Sequence, residues 1–349
     1  MPEKQIKSFK KFLNSSQSFN IFYHGDADGF CSAVVFSKAV EKLGKNIASA
    51  TAVESPDLLP KVCQNKSFGN AVFLDLAADS DKSFLAKLSK KSRVLVIDHH
   101  KLYCDFNSDR ALVIKPQMLS AIEPSSYPAS KLCFDLCSTL VSVDEVSWVA
   151  SVGIIGDFAY NKWAAFVNES AKKASVSVDD LKVIADIISS VQAVSPEAFP
   201  ELLELFLAAG PKAIMQSNFN SLRKEVFDEL EFWKKEFYKK AEVYEKEELY
   251  FFTIKPKYRI KSMLIDSLTK ELPDKTIIIA EDLGGDEIRF SARRQDFKVP
   301  MNSLLESAVA GIPEASAGGH IPAAAGKIPK TRFQEFKERV LSFIRSKKD

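Results

Sequence analysis

The chain has 349 residues, of which 46% are apolar and 27% charged, as in ordinary soluble globular proteins, and its length calls for two domains rather than one core. No apolar run reaches the ~20 residues of a membrane span, so a membrane role is excluded. The five cysteines, at 31, 63, 104, 133 and 137, are too scattered for a structural zinc site and read as buried cytosolic thiols, and a net charge of +2 does not announce nucleic-acid binding.

In chain order, MPEKQIKSFKKFL is a charged amphipathic stretch without a signal-peptide apolar region, and reads as a surface helix of a cytoplasmic protein. Residues 20–23 read as a strand, 30–43 as a helix stopped by Gly44, and 47–53 as a strand. Ser55-Pro56 opens another helix. Strand 71–75, helix 80–90, strand 93–97 and strand 111–114 follow. Strands and helices in alternation predict an α/β fold with a doubly wound parallel sheet. Residues 128–141, 144–156 and 177–209 read as helices, Gly210-Pro211 as a break, and 212–246 as one long Lys/Glu-rich helical pattern. A second, smaller α/β domain begins near Leu249. Its strands are LYFFTI, KTIIIAED and DEIRFSARR, its helices 260–271, 300–310 and 331–346. The expected division is 1–190 for the first domain, 191–246 for a helical linker and 247–349 for the second domain. Residues 289–349 hold 12 Lys and Arg against 6 Asp and Glu, which suits a polyanion but is also common on a solvated face.

The chemistry gathers at strand ends. Ile21-Phe22-Tyr23 runs into His24-Gly25-Asp26-Ala27-Asp28-Gly29, and Val94 to Ile97 runs into Asp98-His99-His100. Ala71 to Leu74 ends in Asp75, and Gly153-Ile154-Ile155-Gly156 closes on Asp157. Ligands of a parallel sheet bind at the carboxyl ends of its strands, so these groups are expected to meet at one edge. On an extended strand end, residues 24, 26 and 28 would point the same way. One metal ion needs three or four such donors. This chain offers more, which points to two ions. Three of the four histidines lie in these clusters, and the fourth is His320 in Ala317-Gly318-Gly319-His320. A lone Asp after a strand is commonly a helix cap, and Asp79 and Asp81 read as caps of helix 80–90.

Together, HGDADG, the strand-end Asp, VIDHH, a later GD, and a GGH followed by AAAG resemble the DHH phosphoesterases. The motifs lie closest to the RecJ-like branch with its archaeal members, whose second domain is a DHH-associated substrate-binding domain. Five motifs in order cover the chain from about residue 20 to its end. The resemblance implies that His24, Asp26 and Asp75 hold one metal and that Asp28, Asp75, His99 and Asp157 hold the other, with Asp75 bridging. His100 would contact the substrate phosphate, Asp98 would orient an imidazole, and a water bridging the ions would attack. A mixed Asp/His set favours two Mn²⁺, with Mg²⁺ or Co²⁺ as substitutes. Arg293 and the Gly318-Gly319-His320 turn would hold the phosphate, through a guanidinium, backbone N–H groups and an imidazole. Arg294 reads equally as a solvent-facing charge or as part of that grip.

The expected activity is metal-dependent hydrolysis of single-stranded nucleic acid or short oligonucleotides. The alternative is a small-nucleotide phosphohydrolase acting on cyclic dinucleotides or 3′-phosphoadenosine phosphate. The third reading is a replication scaffold, disfavoured because every ligand position is filled, and a family II pyrophosphatase is disfavoured by the GGH motif. Expected partners are the nucleic acid or nucleotide, with replication or repair proteins as candidates and no membrane.

Overall fold

The computed structural model describes residues 3–64, 67–319 and 321–347. The chain divides into two compact units, Met1–Arg223 and Lys224–Asp349. Residues 191–223 therefore pack with the first unit, and 224–246 begin the second. No helix among the described residues is long and apolar enough to cross a membrane.

The first unit opens with α1 (Glu3–Asn14), β1 (Ser18–His24), α2 (Ala27–Lys42), β2 (Asn46–Val53) and the short α3 (Leu59–Val62). There follow β3 (Asn70–Leu74), α4 (Lys82–Lys91), β4 (Arg93–Ile97) and β5 (Ala111–Ile114). The five strands form a parallel sheet in the order β2-β1-β3-β4-β5. Strands β3 and β4 are apolar almost throughout because both faces of the sheet are covered, as parallel sheets require. The period of two sorts β1: Ile21 and Tyr23 enter one core, Phe22 the other. Phe22 stacks on Phe73 at 5.2 Å.

One face of the sheet is covered by α1, α2 and a helical layer: α5 (Ala129–Ser138), α6 (Ser147–Gly156), α7 (Tyr160–Lys173), α8 (Val178–Val194), α9 (Phe199–Ala208) and α10 (Pro211–Gln216). Helix α2 is buried nearly all round, because it packs on the sheet below and on α5, α6 and α9 above. Phe30 alone meets Tyr23, Phe199 and Phe206, and burying such a ring stabilises by about 1.5–3 kcal/mol.

The region read as one helix over 212–246 is interrupted. Ser217 is extended and separates α10 from α11 (Phe219–Lys240), and Glu242–Tyr244 leave the helix to form a strand, β6. A Lys/Glu-rich pattern does not reveal such a strand, which forms because β7 (Leu249–Ile254) offers it an antiparallel edge. Likewise 177–209 breaks at Ser195-Pro196, where proline cannot continue α8.

The second unit continues with α12 (Lys261–Glu271), β8 (Thr276–Asp282), β9 (Glu287–Arg293), α13 (Met301–Val309), β10 (Ser316–Gly319), β11 (Ala323–Pro329) and α14 (Phe333–Ser346). Its six-stranded mixed sheet has the order β10-β11-β9-β8-β7-β6. Helices α13 and α14 bury Leu304, Leu305, Phe336 and Val340 against one face of that sheet. Phe290 stacks on Phe336 at 4.3 Å.

Candidate metal centre

Strands β1, β3 and β4 are neighbours in the sheet, so His24, Asp75 and Asp98 emerge side by side at their carboxyl ends. The first two stand where the strand order reverses, between β1 and β3. Asp75 has φ = 54°, a left-handed conformation costly for a side chain with a Cβ, and is almost fully buried. Its carboxylate is the hub of the site. His24 Nδ1 lies 3.5 Å from Oδ2, His99 Nε2 3.4 Å and His100 Nδ1 3.8 Å from Oδ1.

The expected alternation along 24–28 fails in detail. Asp26 is the N-cap of α2, accepting from the Gly29 N–H at 2.9 Å, so Asp28 already sits in the first helical turn. The chain therefore bends between the donors instead of presenting them along one extended edge. Asp26 turns back to His24 Nδ1 at 2.8 Å. Asp28 points deeper and accepts from the Ala129 and Ser130 N–H groups, at 2.6 and 2.9 Å, at the N-terminus of α5. Asp157 caps the C-terminus of α6, and its Oδ2 lies 3.6 Å from His99 Nδ1.

Three groups of donors result, each compact enough for one ion: His24, Asp26 and Asp75; Asp28, His99 and Asp157; and Asp75, His99 and His100. All six residues expected as ligands are thus brought together, with His100 beside them. Asp75 Oδ1 and Asp157 Oδ2 are buried and accept no hydrogen bond, and a cation would satisfy both. Oxygen and imidazole donors in these numbers suit Mn²⁺ and related ions.

The titration behaviour follows from crowding negative charge out of water. Burial, with Asp75 nearby, pushes Asp28 up to about 7. Burial pushes Asp157 up to about 9 against the pull of His99, with Asp28 and Asp75 adding to the rise. Burial works against a charged imidazole at His24 and His99, but the carboxylates around them prevail and hold both well above the usual histidine range. Burial would raise Asp98, but its hydrogen bond from His100 and the Lys115 ammonium hold it below the usual range. A cation entering the site displaces protons from these groups.

Close packing shapes the pocket. A Cβ on Gly153 would collide with Ser130 Oγ and come 3.0 Å from Asp28 Oδ1. Gly153→Ala is expected to lower stability by about 1–3 kcal/mol through overpacking, read from urea midpoints, and to weaken metal binding by displacing Asp28.

The second unit gathers the other expected residues differently. Arg293 is paired in register with Ala323 of β11, and Ala324 with Gly319 of β10, so Arg293 and the Gly318-Gly319 strand end lie at one end of the sheet. Both glycines are exposed. Gly319 has φ = 146°, and a Cβ there would strike the Ala323 carbonyl, so no other residue fits. His320 lies outside the described residues. Arg293 donates to Asp266 Oδ1 at 3.1 Å from a half-buried position. Arg294 is neither solvent-facing nor available for a ligand. It is 1% exposed and donates to Asp296, Glu248 and Thr276. Asp79 is not a helix cap either. Asp81 caps α4, whereas Asp79 is buried against Lys115, a residue with no sequence signal of its own.

Residues 256–346 match the family model of the DHHA1 domain. No curated protein matches the sequence. The fold is similar to that of RecJ in complex with Mn²⁺ from Thermus thermophilus, with a TM-score of 0.75 and 16% identity over 98% of this chain and 54% of that one. The chain thus spans about half the length of that protein. An exonuclease RecJ bound to manganese is similar with a TM-score of 0.74 and 16% identity, covering 99% of this chain and 95% of that one. A pGpG-specific phosphodiesterase, PggH from Vibrio cholerae, gives a TM-score of 0.54 and 12% identity over 94% and 99% of the two chains.

Proposed function

We propose, from the premise that the chain belongs to the DHH-family phosphoesterases carrying a DHHA1 C-terminal domain, that it is a metal-dependent phosphodiesterase of single-stranded nucleic acid or short oligonucleotides. The observation that carries this reading is the convergence of three Asp/His groups, two of them sharing Asp75, with buried carboxylate oxygens that accept no hydrogen bond. His24, Asp26 and Asp75 would hold one ion, and Asp28, Asp75, His99 and Asp157 a second. Such ions supply neutralisation of the phosphoryl charge and a nucleophilic water at neutral pH. His100 commits Nδ1 to Asp98 at 2.6 Å, so Nε2 is the nitrogen it offers to a phosphate oxygen. Its side chain is 41% exposed, as a group that meets substrate must be. Arg293, with Gly318, Gly319 and His320, would grip a phosphate of the same substrate class.

The roles separate by substitution. His99→Ala is expected to weaken Mn²⁺ binding and activity together, whereas His100→Ala spares metal binding and lowers turnover, as calorimetric titration beside steady-state kinetics will read. Arg293→Ala is expected to lower kcat/KM by about tenfold to a hundredfold, the worth of one charge-assisted hydrogen bond, with the metal stoichiometry unchanged. The similarity to a pGpG-specific phosphodiesterase supports a second reading, hydrolysis of dinucleotides. Product analysis with Mn²⁺ on labelled single-stranded RNA, single-stranded DNA, pGpG and cyclic dinucleotides decides. Stepwise release of mononucleotides from long strands supports the first reading. Cleavage of dinucleotides alone supports the second, and no cleavage of any of the four refutes both.

A further inference from the structure

Beneath His100 lies a charged group that metal binding does not use. Lys115 follows β5, Asp98 follows β4 and Asp79 lies in the connection after β3. The Lys115 ammonium is 2.8 Å from Asp79 Oδ1, 2.8 Å from Asp98 Oδ2, 2.7 Å from the Lys101 carbonyl and 3.3 Å from the His100 carbonyl. All three side chains are 0% exposed. Asp98 divides its oxygens, one toward Lys115 and one accepting from His100 Nδ1. Asp79 turns its second oxygen to the Tyr103 N–H at 2.8 Å, further along the same loop.

Removing three charges from water costs several kcal/mol per ion, and apolar residues of the same volume would fill the space at lower cost. The trio is therefore not explained by packing. Two features tie it to the site. It fixes the backbone at 100, 101 and 103, the loop that begins with His99 and His100. It also leaves one net negative charge, which is directed through Asp98 onto the His100 ring. Resting on the function proposed above, we infer that Lys115, held by Asp79, is a positioning residue: it orients Asp98 so that the His100 imidazole presents Nε2 to the scissile phosphate.

The test uses the full chain. Lys115→Met alone would strand two buried carboxylates, so the main variant is Lys115→Met with Asp79→Asn, which preserves the net charge of the trio. It is expected to bind Mn²⁺ with unchanged stoichiometry and to lose about tenfold to a hundredfold in kcat, the range for residues that orient a site from behind. Added to His100→Ala, the pair should cost nothing further, because it acts through that ring. In metal-free protein, the downfield Nδ1 proton of His100, assigned by its absence in His100→Ala, should move upfield or vanish in the double variant. Asp79→Asn alone, which keeps Lys115 and Asp98, should also shift it upfield, since Lys115 then neutralises Asp98 undivided. Losses that multiply with His100→Ala, or an Nδ1 proton unmoved in both variants, overturn the proposal. The proton measurement needs no turnover, so an inactive wild-type enzyme would refute the function and leave the positioning role to be decided separately.

Discussion

Asp75→Asn is expected to be the most damaging single substitution in the chain. The change is nearly isosteric, so the fold survives, but the hub loses its charge while its neighbours remain. Two of the three donor groups contain Asp75, and its carboxylate lies within 4 Å of three imidazoles. An amide offers a weaker neutral oxygen to a divalent ion, so both proposed ions are affected at once. Activity should fall by on the order of a thousandfold, about 4 kcal/mol of transition-state stabilisation. Titration with Mn²⁺ should show weakened binding at both sites. If one ion still binds with native affinity, Asp75 does not bridge. The left-handed backbone at Asp75 suits asparagine, one of the few residues that tolerate it, so thermal stability should change little.

The second large effect is on pH. Asp28 and Asp157 are raised from an ordinary 3.8 to about 7 and about 9. The folded, metal-free chain therefore keeps protons that the unfolded chain has released, and stability falls as pH rises, from about 4 to 7 for Asp28 and on to 9 for Asp157. His24 and His99, raised above 6.5, act in the same direction: their contribution is complete below about 6.5 and is lost as pH climbs through their raised values. Asp26 and Asp98 are held below 3.8 and oppose this only in acid, where their contribution is lost as pH drops. Metal-free protein should thus melt highest at about pH 4 and lose stability steadily toward about pH 9. Metal binding should behave inversely. Each proton displaced strengthens apparent affinity by up to about tenfold per pH unit while that group is protonated. Calorimetry in two buffers of different ionisation enthalpy counts the protons. Affinity that stays flat from pH 6 to 9 would contradict the burial of these carboxylates.

Much of this site is legible in the sequence because every donor except Asp157, which ends α6, follows a short apolar strand, and a parallel sheet brings strand ends together. Strand alternation is the wrong reason for the first motif. Asp26 is a cap and Asp28 a helical residue, and their separation into different donor groups comes from the start of α2. The partners of Asp28 have no sequence signal at all, because the N–H groups of Ala129 and Ser130 reach it from a distant helix. Lys115 and Asp79 are hidden for the same reason: one lysine before a proline and one aspartate among small residues acquire meaning only when β3, β4 and β5 align. In the second unit, Ser316–Gly319 and Ala323–Pro329 are strands despite low intrinsic preference, since β9 supplies the ladder for β11, and β11 in turn for β10, that glycine and alanine do not favour by themselves. Arg294 looks like surface because it is a charge beside Arg293, whereas two of its three partners, Glu248 and Thr276, lie far away in the sequence.

The bond from Ala129 to Asp28 spans 101 residues, and the His99–Asp157 approach closes a second long loop. Contacts of such separation pay their loop entropy before they return any energy, and they form late in the folding of a parallel sheet. An ion that needs Asp28, His99 and Asp157 together therefore recognises only chains that are already nearly native. Its binding energy then falls on the unfolding barrier, lengthening the lifetime of the folded state while leaving the speed of folding almost untouched.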